Sequence, residues 1–195
     1  MFRTLTSGLA ATLLMAGATH AATLVDTGTP NGSLPALAVD AIDWVAVQFD
    51  LATATRIDSV AAYLVGGSSG EHFALSLYQD APGLPGDLLS SQTLSFAADG
   101  WNAASGLGWQ LAAGRYWLGV EGIDGNFSAP AGGLLEPGST AFADGSHNGS
   151  YQALAGLQFG LQIQGAVAAV PEPSLTALLL AGLGVVAWAM HRRRA

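Results

Sequence analysis

The sequence predicts an all-β fold, an antiparallel β-sandwich of jelly-roll type, with a hydrophobic segment at each end. Apolar and polar residues alternate with period two through the middle of the 195-residue chain, which is the pattern of half-buried strands. Gly, Pro, Asp and Ser separate these runs at short intervals, as in sandwiches with tight turns. No stretch of the middle region keeps a helical period.

Four segments alternate most clearly, and each has an apolar face that predicts a core-facing row. In the last of them Leu157, Phe159, Leu161 and Ile163 face one way and three glutamines face the other. Gly114 lies between two runs and predicts a hairpin over 110–116, with the glycine as its left-handed turn residue. The clear strands are 43–50, 73–79, 115–121 and 157–164, and weaker ones are predicted at 57–65, 88–96 and 107–111.

The charge of the middle region excludes some classes of partner. The chain has 14 acidic residues and six arginines, and between residues 22 and 170 there are 13 acids against Arg56 and Arg115, a formal charge of −11. Such a surface repels phosphate backbones, so nucleic acid is not an expected partner. The absence of cysteine excludes disulfides, thiolate metal sites and cysteine nucleophiles.

The N-terminal segment has the order of a secretory signal peptide. Arg3 supplies a positive start, residues 9–18 are apolar, and Ala18-Thr19-His20-Ala21 offers small residues for cleavage. We therefore expect residues 1–21 to be a signal peptide removed by signal peptidase after Ala21. Residues 22–169 then form the exported β-sandwich domain.

The C-terminal segment predicts a single transmembrane helix over residues 175–190, which carry no charge. At helical rise it is about 24 Å long, against a bilayer core of about 30 Å. The basic end, 191–195, contains Arg192, Arg193 and Arg194. These arginines mark the cytoplasmic side and can snorkel, so the preceding domain is expected outside the membrane.

Residues 170–174, Val170-Pro171-Glu172-Pro173-Ser174, join the domain to that helix. Both prolines favour extended backbone, so the segment is expected to be exposed. From the residues alone, a stiff linker and a peptide gripped by a processing enzyme fit equally well.

The order of Pro-Glu-Pro, a short apolar helix and terminal arginines resembles the PEP-CTERM sorting domain of Gram-negative bacterial surface proteins, over residues 170–195. The resemblance implies that an exosortase recognises Val170, Pro171, Glu172 and Pro173 and cuts near them. It also implies anchoring by the helix before processing, then delivery to the envelope, cell surface or extracellular matrix, with exopolysaccharide as a possible partner.

The chemical motifs of the middle region favour turns over active sites. Gly66 to Gly70 matches the G-x-S-x-G pattern with Ser68 at its centre, but a nucleophile elbow needs a helix next and a strand is predicted instead. His72 and His147 lack the spacing of metal ligands. The loops 124–126 and 144–149 are rich in oxygen ligands but lack a calcium-loop register, so Asx turns are favoured.

We therefore expect no catalytic, cofactor-binding or metal-binding residues, and a non-enzymatic structural or adhesive role at the cell surface. Two alternatives stay open, a carbohydrate-binding or calcium-binding sandwich and, more distantly, a hydrolase using Ser68. A sugar-stacking platform could be drawn from the aromatic residues, which are Trp44, Tyr63, Tyr78, Trp101, Trp109 and Trp117.

Overall fold

The structure, a computed structural model, describes residues 21–32, 36–131, 140–143, 150–154 and 157–167, with residues 179, 182–183 and 189–193 near the C-terminus. The described chain is built almost entirely of antiparallel strands, which confirms the predicted all-β class. The strands are β1 (Ala22–Asp26), β2 (Leu37–Val39), β3 (Trp44–Leu51), β4 (Thr55–Leu64), β5 (His72–Ala81), β6 (Leu84–Ser95), β7 (Gly100–Leu111), β8 (Gly114–Gly122), β9 (Phe127–Ala129), β10 (Thr140–Ala143), β11 (Tyr151–Leu154) and β12 (Leu161–Val167).

These strands form two large sheets and one small pair. The four-stranded sheet has the order β1-β12-β4-β7, and the six-stranded sheet has the order β11-β10-β3-β8-β5-β6. β2 and β9 form a separate two-stranded pair. Strand β8 lies between β3 and β5, so strands distant in sequence are neighbours, as in Greek-key arrangements.

The main hydrophobic core contains side chains from both large sheets. Alternate residues of each strand supply it, because successive side chains of a strand point to opposite faces. The buried members include Val45, Val47 and Phe49 of β3, Leu75 and Leu77 of β5, Leu118 and Val120 of β8, Ile57 and Val60 of β4, and Leu161 and Ile163 of β12.

A second, smaller cluster lies on the opposite face of the six-stranded sheet. Trp117 and Ala46 are 0% exposed there, and Tyr78, Leu84 and Tyr151 pack against them. The edge strands β11 and β6 contact each other, so the sheet curls around this cluster. Both faces of the central strands are therefore buried, whereas alternation alone predicts one solvated face.

The predicted strands agree with the structure best where one face enters the main core. The segments 43–50, 73–79 and 115–121 correspond to β3, β5 and β8 within one or two residues at each end. The last predicted strand, 157–164, is displaced, since β12 begins at Leu161 and Phe159 makes an isolated bridge with Ala131. The three weaker strands are all present and longer than predicted.

The predicted hairpin joins β7 to β8, but its glycine has a different role. Gly114 has a positive φ of 158°, a backbone conformation that favours glycine, as predicted. It is the first residue of β8 and pairs with Leu51, so it follows the turn and does not lie within it.

The predicted signal peptide lies outside the described residues, apart from its last residue, Ala21. The same is true of residues 170–174 and of most of the predicted helix 175–190. In the described part of the chain, no helix is long and apolar enough to cross a membrane. The described C-terminal pieces are helical at 179, 182–183 and 189–192.

Candidate functional site

The sorting segment follows directly on an interior strand of the four-stranded sheet. β12 pairs with β1 on one side and β4 on the other, and it ends at Val167, whose side chain is half exposed. Val170, Pro171, Glu172, Pro173 and Arg194 lie outside the described residues; Arg192 is helical and Arg193 lies in a turn. The domain's last strand is thus held on both sides before the tail begins.

The main polar cluster of the domain is centred on the Glu121 carboxylate, on the curled face of the six-stranded sheet. Tyr78 Oη donates to Oε1, Tyr151 Oη donates to the same oxygen at 3.2 Å, and Ser76 Oγ donates to Oε2 at 2.9 Å. Ser91 Oγ lies 3.1 Å from Ser76 Oγ and extends the network to β6. One carboxylate therefore ties together hydroxyl groups from β5 and β11.

Burial raises the pKa of both phenols in this cluster above the usual value of 10.0, and the neighbouring Glu121 carboxylate raises it further. A phenol is already protonated at neutral pH, and the higher pKa keeps both groups as donors further into the alkaline range. Gly119 leaves room for them, since a Cβ there would lie 2.9 Å from Tyr151 Oη and 3.1 Å from Glu121 Oε1. The cluster depends on this glycine for its space.

A second carboxylate holds the indole of the buried tryptophan. Trp117 Nε1 donates to Asp80 Oδ1 at 2.7 Å, and Gln48 Nε2 donates to the same oxygen at 2.8 Å. This satisfies the one polar atom of a side chain that is otherwise enclosed. Asp80 therefore fixes Trp117 from the end of β5.

An open cleft lies where the edge strand β6 of one large sheet faces the edge strand β7 of the other. Its volume is about 380 Å³, and its lining includes Trp109, Tyr116, Gln79, Ser90 and Leu89. Tyr116 Oη donates to the carbonyl of Ala112 at 3.2 Å, which fixes that ring as one wall. The cleft combines aromatic walls with amide and hydroxyl groups.

The G-x-S-x-G segment is a turn that leads into a strand, as its sequence indicates. The Ser68 amide donates to the Glu71 carboxylate at 2.8 Å, and β5 begins at His72. His72 Nδ1 lies 2.8 Å from Asp124 Oδ2, so the carboxylate of the 124–126 loop is engaged by a side chain. Hydrogen bonds from the backbone and then the side chain of His72 lower the pKa of Asp124.

Metal ligands are not assembled in the described part of the chain, where no three His, Asp or Glu side chains come together. His147 and the loop 144–149 lie outside the described residues, and the predictions for them stay predictions. The Asp124 carboxylate of the other oxygen-rich loop accepts hydrogen bonds from His72, which is distant in sequence. This is a structural role, but it is a long-range contact and not the local Asx turn that the sequence favours.

The six aromatic residues considered for sugar stacking do not form one platform. Trp117 is 0% exposed, so its ring has no free face. Trp44 and Tyr78 pack around Tyr151, with ring centroids 6.3 Å and 5.8 Å away, and Tyr63 pairs with Trp101 at 5.5 Å on the four-stranded sheet. Trp109 alone of the six lines the cleft.

Several residues at these sites could not be predicted from local sequence patterns. Glu121 and Tyr151 come together only through the strand order β11-β10-β3-β8, which no local pattern encodes. Gln79 ends the predicted strand 73–79 on the same face as Phe73, Leu75 and Leu77, and nothing in that alternation indicates a cleft. Its place beside Tyr116, its partner across β5 and β8, required the observed pairing.

A likeness to one solved structure supports the described fold. It is the crystal structure of the cysteine protease and lectin-like domains of Cwp84, a surface layer associated protein of Clostridium difficile, with 13% sequence identity and a TM-score of 0.51. The alignment covers 65% of this chain and 32% of that one, so this chain spans about a third of its length. Comparison with curated proteins found no match.

The C-terminal tail has a direct family assignment. Residues 169–194 match the PEP-CTERM protein-sorting motif. This range contains the Pro-Glu-Pro sequence, the apolar segment and the terminal arginines in order. The motif implies export followed by sorting to the envelope or surface. The tail of this chain therefore carries the PEP-CTERM protein-sorting motif, which supports a PEP-CTERM sorting domain protein, an exosortase substrate.

Proposed function

We propose that this protein is a non-enzymatic component of the cell surface or extracellular matrix, displayed there after exosortase processing. Its jelly-roll-like β-sandwich is the displayed part, with a structural or adhesive role. The observation that carries the proposal is the position of the sorting motif, whose match begins at residue 169, directly after β12 ends at Val167.

That position makes the tail separable from the fold. β12 is paired on both sides within the four-stranded sheet and ends before the sorting motif begins. A cut near Pro171–Pro173 would therefore remove no strand of the described sheets. The hydrophobic helix would be lost and the domain released from the membrane, as in other removable anchor signals.

The chemistry of the described domain supports a role without catalysis. The Glu121 carboxylate accepts hydrogen bonds from Ser76, Tyr78 and Tyr151, which is the arrangement of a brace between strands. Ser68 lies in a turn before a strand. The charge of −11 between residues 22 and 170 favours a dispersed, extracellular protein.

The proposal is tested by replacing Pro171 and Pro173 with alanine in a host that has an exosortase. The double variant should remain uncleaved and membrane-bound, whereas wild type should appear as a shorter, released form. Ser174→Ala, next to the Pro-Glu-Pro sequence, is the matched control and should be processed normally. Wild-type size and location for the proline variant would contradict sorting through this segment.

A second candidate function is a carbohydrate-binding module, which would give the adhesive role a ligand. Two observations favour it: the likeness in fold to a structure that includes a lectin-like domain, and the open cleft with an aromatic wall at Trp109. A calcium-binding module is less favoured on the described residues, because the Asp124 carboxylate is taken up by His72.

A further inference from the structure

The cleft between the two sheet edges has unusual local backbone structure on both sides. In the pairing of β5 with β6, Leu77 lies opposite Ser90 and Tyr78 opposite Leu88, so Leu89 is an extra, bulged residue. A second irregularity between Tyr78 and Asp80 surrounds Gln79. Bulges occur at sheet edges and beside binding sites, where they redirect side chains.

The opposite wall has a larger bulge. Ile57 pairs with Trp109 and Ser59 with Ser105, so residues 106–108 of β7 face a single residue of β4. Gly106 and Gly108 have φ values of 72° and 63°, which allow this geometry. Trp109 is the next residue after this bulge, so the position of the Trp109 ring at the cleft depends on the bulged backbone.

The lining of the cleft is neutral, in contrast to the domain around it. None of the described residues that line it carries a charge, although residues 22–170 carry a formal charge of −11. Metal ions and basic ligands are bound through carboxylates, which this lining lacks. The cleft therefore selects for an uncharged ligand.

The side chains present match the groups of a sugar. Gln79 has an amide that both donates and accepts, and Ser90 has a hydroxyl that does the same, as sugar hydroxyls require. Trp109 offers an apolar aromatic surface for the C–H face of a sugar ring. The volume of about 380 Å³ lies within the range of small-ligand pockets.

We propose that the cleft between β6 and β7 binds a neutral oligosaccharide, with Trp109 as the stacking surface and Gln79 and Ser90 as hydroxyl partners. This inference rests on the carbohydrate-binding candidate above and gives it a site and a ligand class. An anionic polysaccharide is disfavoured, because its carboxylates would meet an acidic domain with no basic side chain in the described lining.

The test measures sugar binding by the full exported chain in mild detergent, by calorimetry and by tryptophan fluorescence. The probes are cellopentaose, laminaripentaose and xylopentaose as neutral ligands, and an alginate oligosaccharide as the anionic one. At least one neutral probe should bind, and EDTA should not change its affinity. Trp109→Ala should weaken binding by about tenfold or more. Trp101→Ala, on the same strand but paired with Tyr63 outside the cleft, should stay within about twofold.

Gln79→Ala is the second variant, in case Trp109→Ala fails to fold. The Gln79 side chain is exposed, so the variant should fold and show a melting transition like that of wild type. It should also weaken binding. No binding of any neutral probe, equal binding of alginate, or equal effects of the two tryptophan variants would overturn the proposal. The Pro171 and Pro173 double variant should bind like wild type, so failure of sorting and failure of the cleft are distinguishable.

Discussion

At the scale of single residues, Glu121 shows how a partly buried carboxylate is accommodated in a sheet. Three hydroxyl donors surround it, and no local sequence pattern indicates that they would meet at one carboxylate. The cost of burying such a group is offset when its oxygens are hydrogen-bonded. The space for this arrangement comes from Gly119, whose missing side chain admits Tyr151.

Replacing Gly119 with alanine should therefore destabilise the domain by about 1–3 kcal/mol, because the new Cβ would crowd the Tyr151 hydroxyl. In a Tyr151→Phe background the same substitution should cost less, since the crowded oxygen is gone. Chemical denaturation of wild type, the two single variants and the double variant gives the coupling free energy between positions 119 and 151. We expect it to be about 0.5 kcal/mol or more. Additive effects would mean that Gly119 does not shape the cluster.

At the scale of elements, alternation of apolar and polar residues predicted a strand well when one face of that strand packs into the main core. β3, β5 and β8 were predicted nearly to the residue because each sends one apolar row into the main core. The short strands β1, β2, β9, β10 and β11 were not predicted. They have three to five residues each, too few to show an alternation of apolar and polar residues. They are strands because they pair with segments that are distant in sequence.

β7 shows a second limit of pattern reading. Only residues 107–111 were predicted as strand in this part of the sequence, and Gly106 and Gly108 flank Leu107. In the structure the strand runs from Gly100 to Leu111, and those glycines form a bulge within it. Glycine in a strand pattern marks a bulge as well as a break.

The bulge can be tested at Gly108, whose φ of 63° is left-handed. Gly108→Ala should destabilise the domain by about 1–2 kcal/mol, because a Cβ is strained in that region. It should also change the fluorescence of the neighbouring Trp109 by displacing its ring. Ser105→Ala, at an exposed position of the same strand, is the control and should stay within about 0.5 kcal/mol. Urea unfolding measures these stabilities, and a Gly108→Ala variant as stable as wild type would contradict the strained geometry.

At the scale of the whole molecule, the end of β12 and the cleft lie toward the same end of the four-stranded sheet. Thr55 of β4 pairs with Val167 of β12 on one side and with Leu111 of β7 on the other. Val167 precedes the sorting tail, and Leu111 lines the cleft. The end of the domain that carries the cleft is therefore the end from which the chain continues into the sorting sequence.

The tail itself was predictable from sequence because its signal is linear: a Pro-Glu-Pro segment, an apolar run and basic residues in fixed order. The order of strands was not predictable in this way. The insertion of β8 between β3 and β5 depends on pairing across more than one intervening strand. No local pattern of polar and apolar residues specifies that choice.

The central claim is that this chain is exported and then processed through residues 169–194. Intact-mass spectrometry of the protein recovered from the envelope and medium of an exosortase-containing host tests it most directly. The account predicts a mature chain that begins near Ala22 and ends near Pro171–Pro173, without the apolar segment and its arginines. Recovery of a chain that extends intact to Ala195 would contradict it.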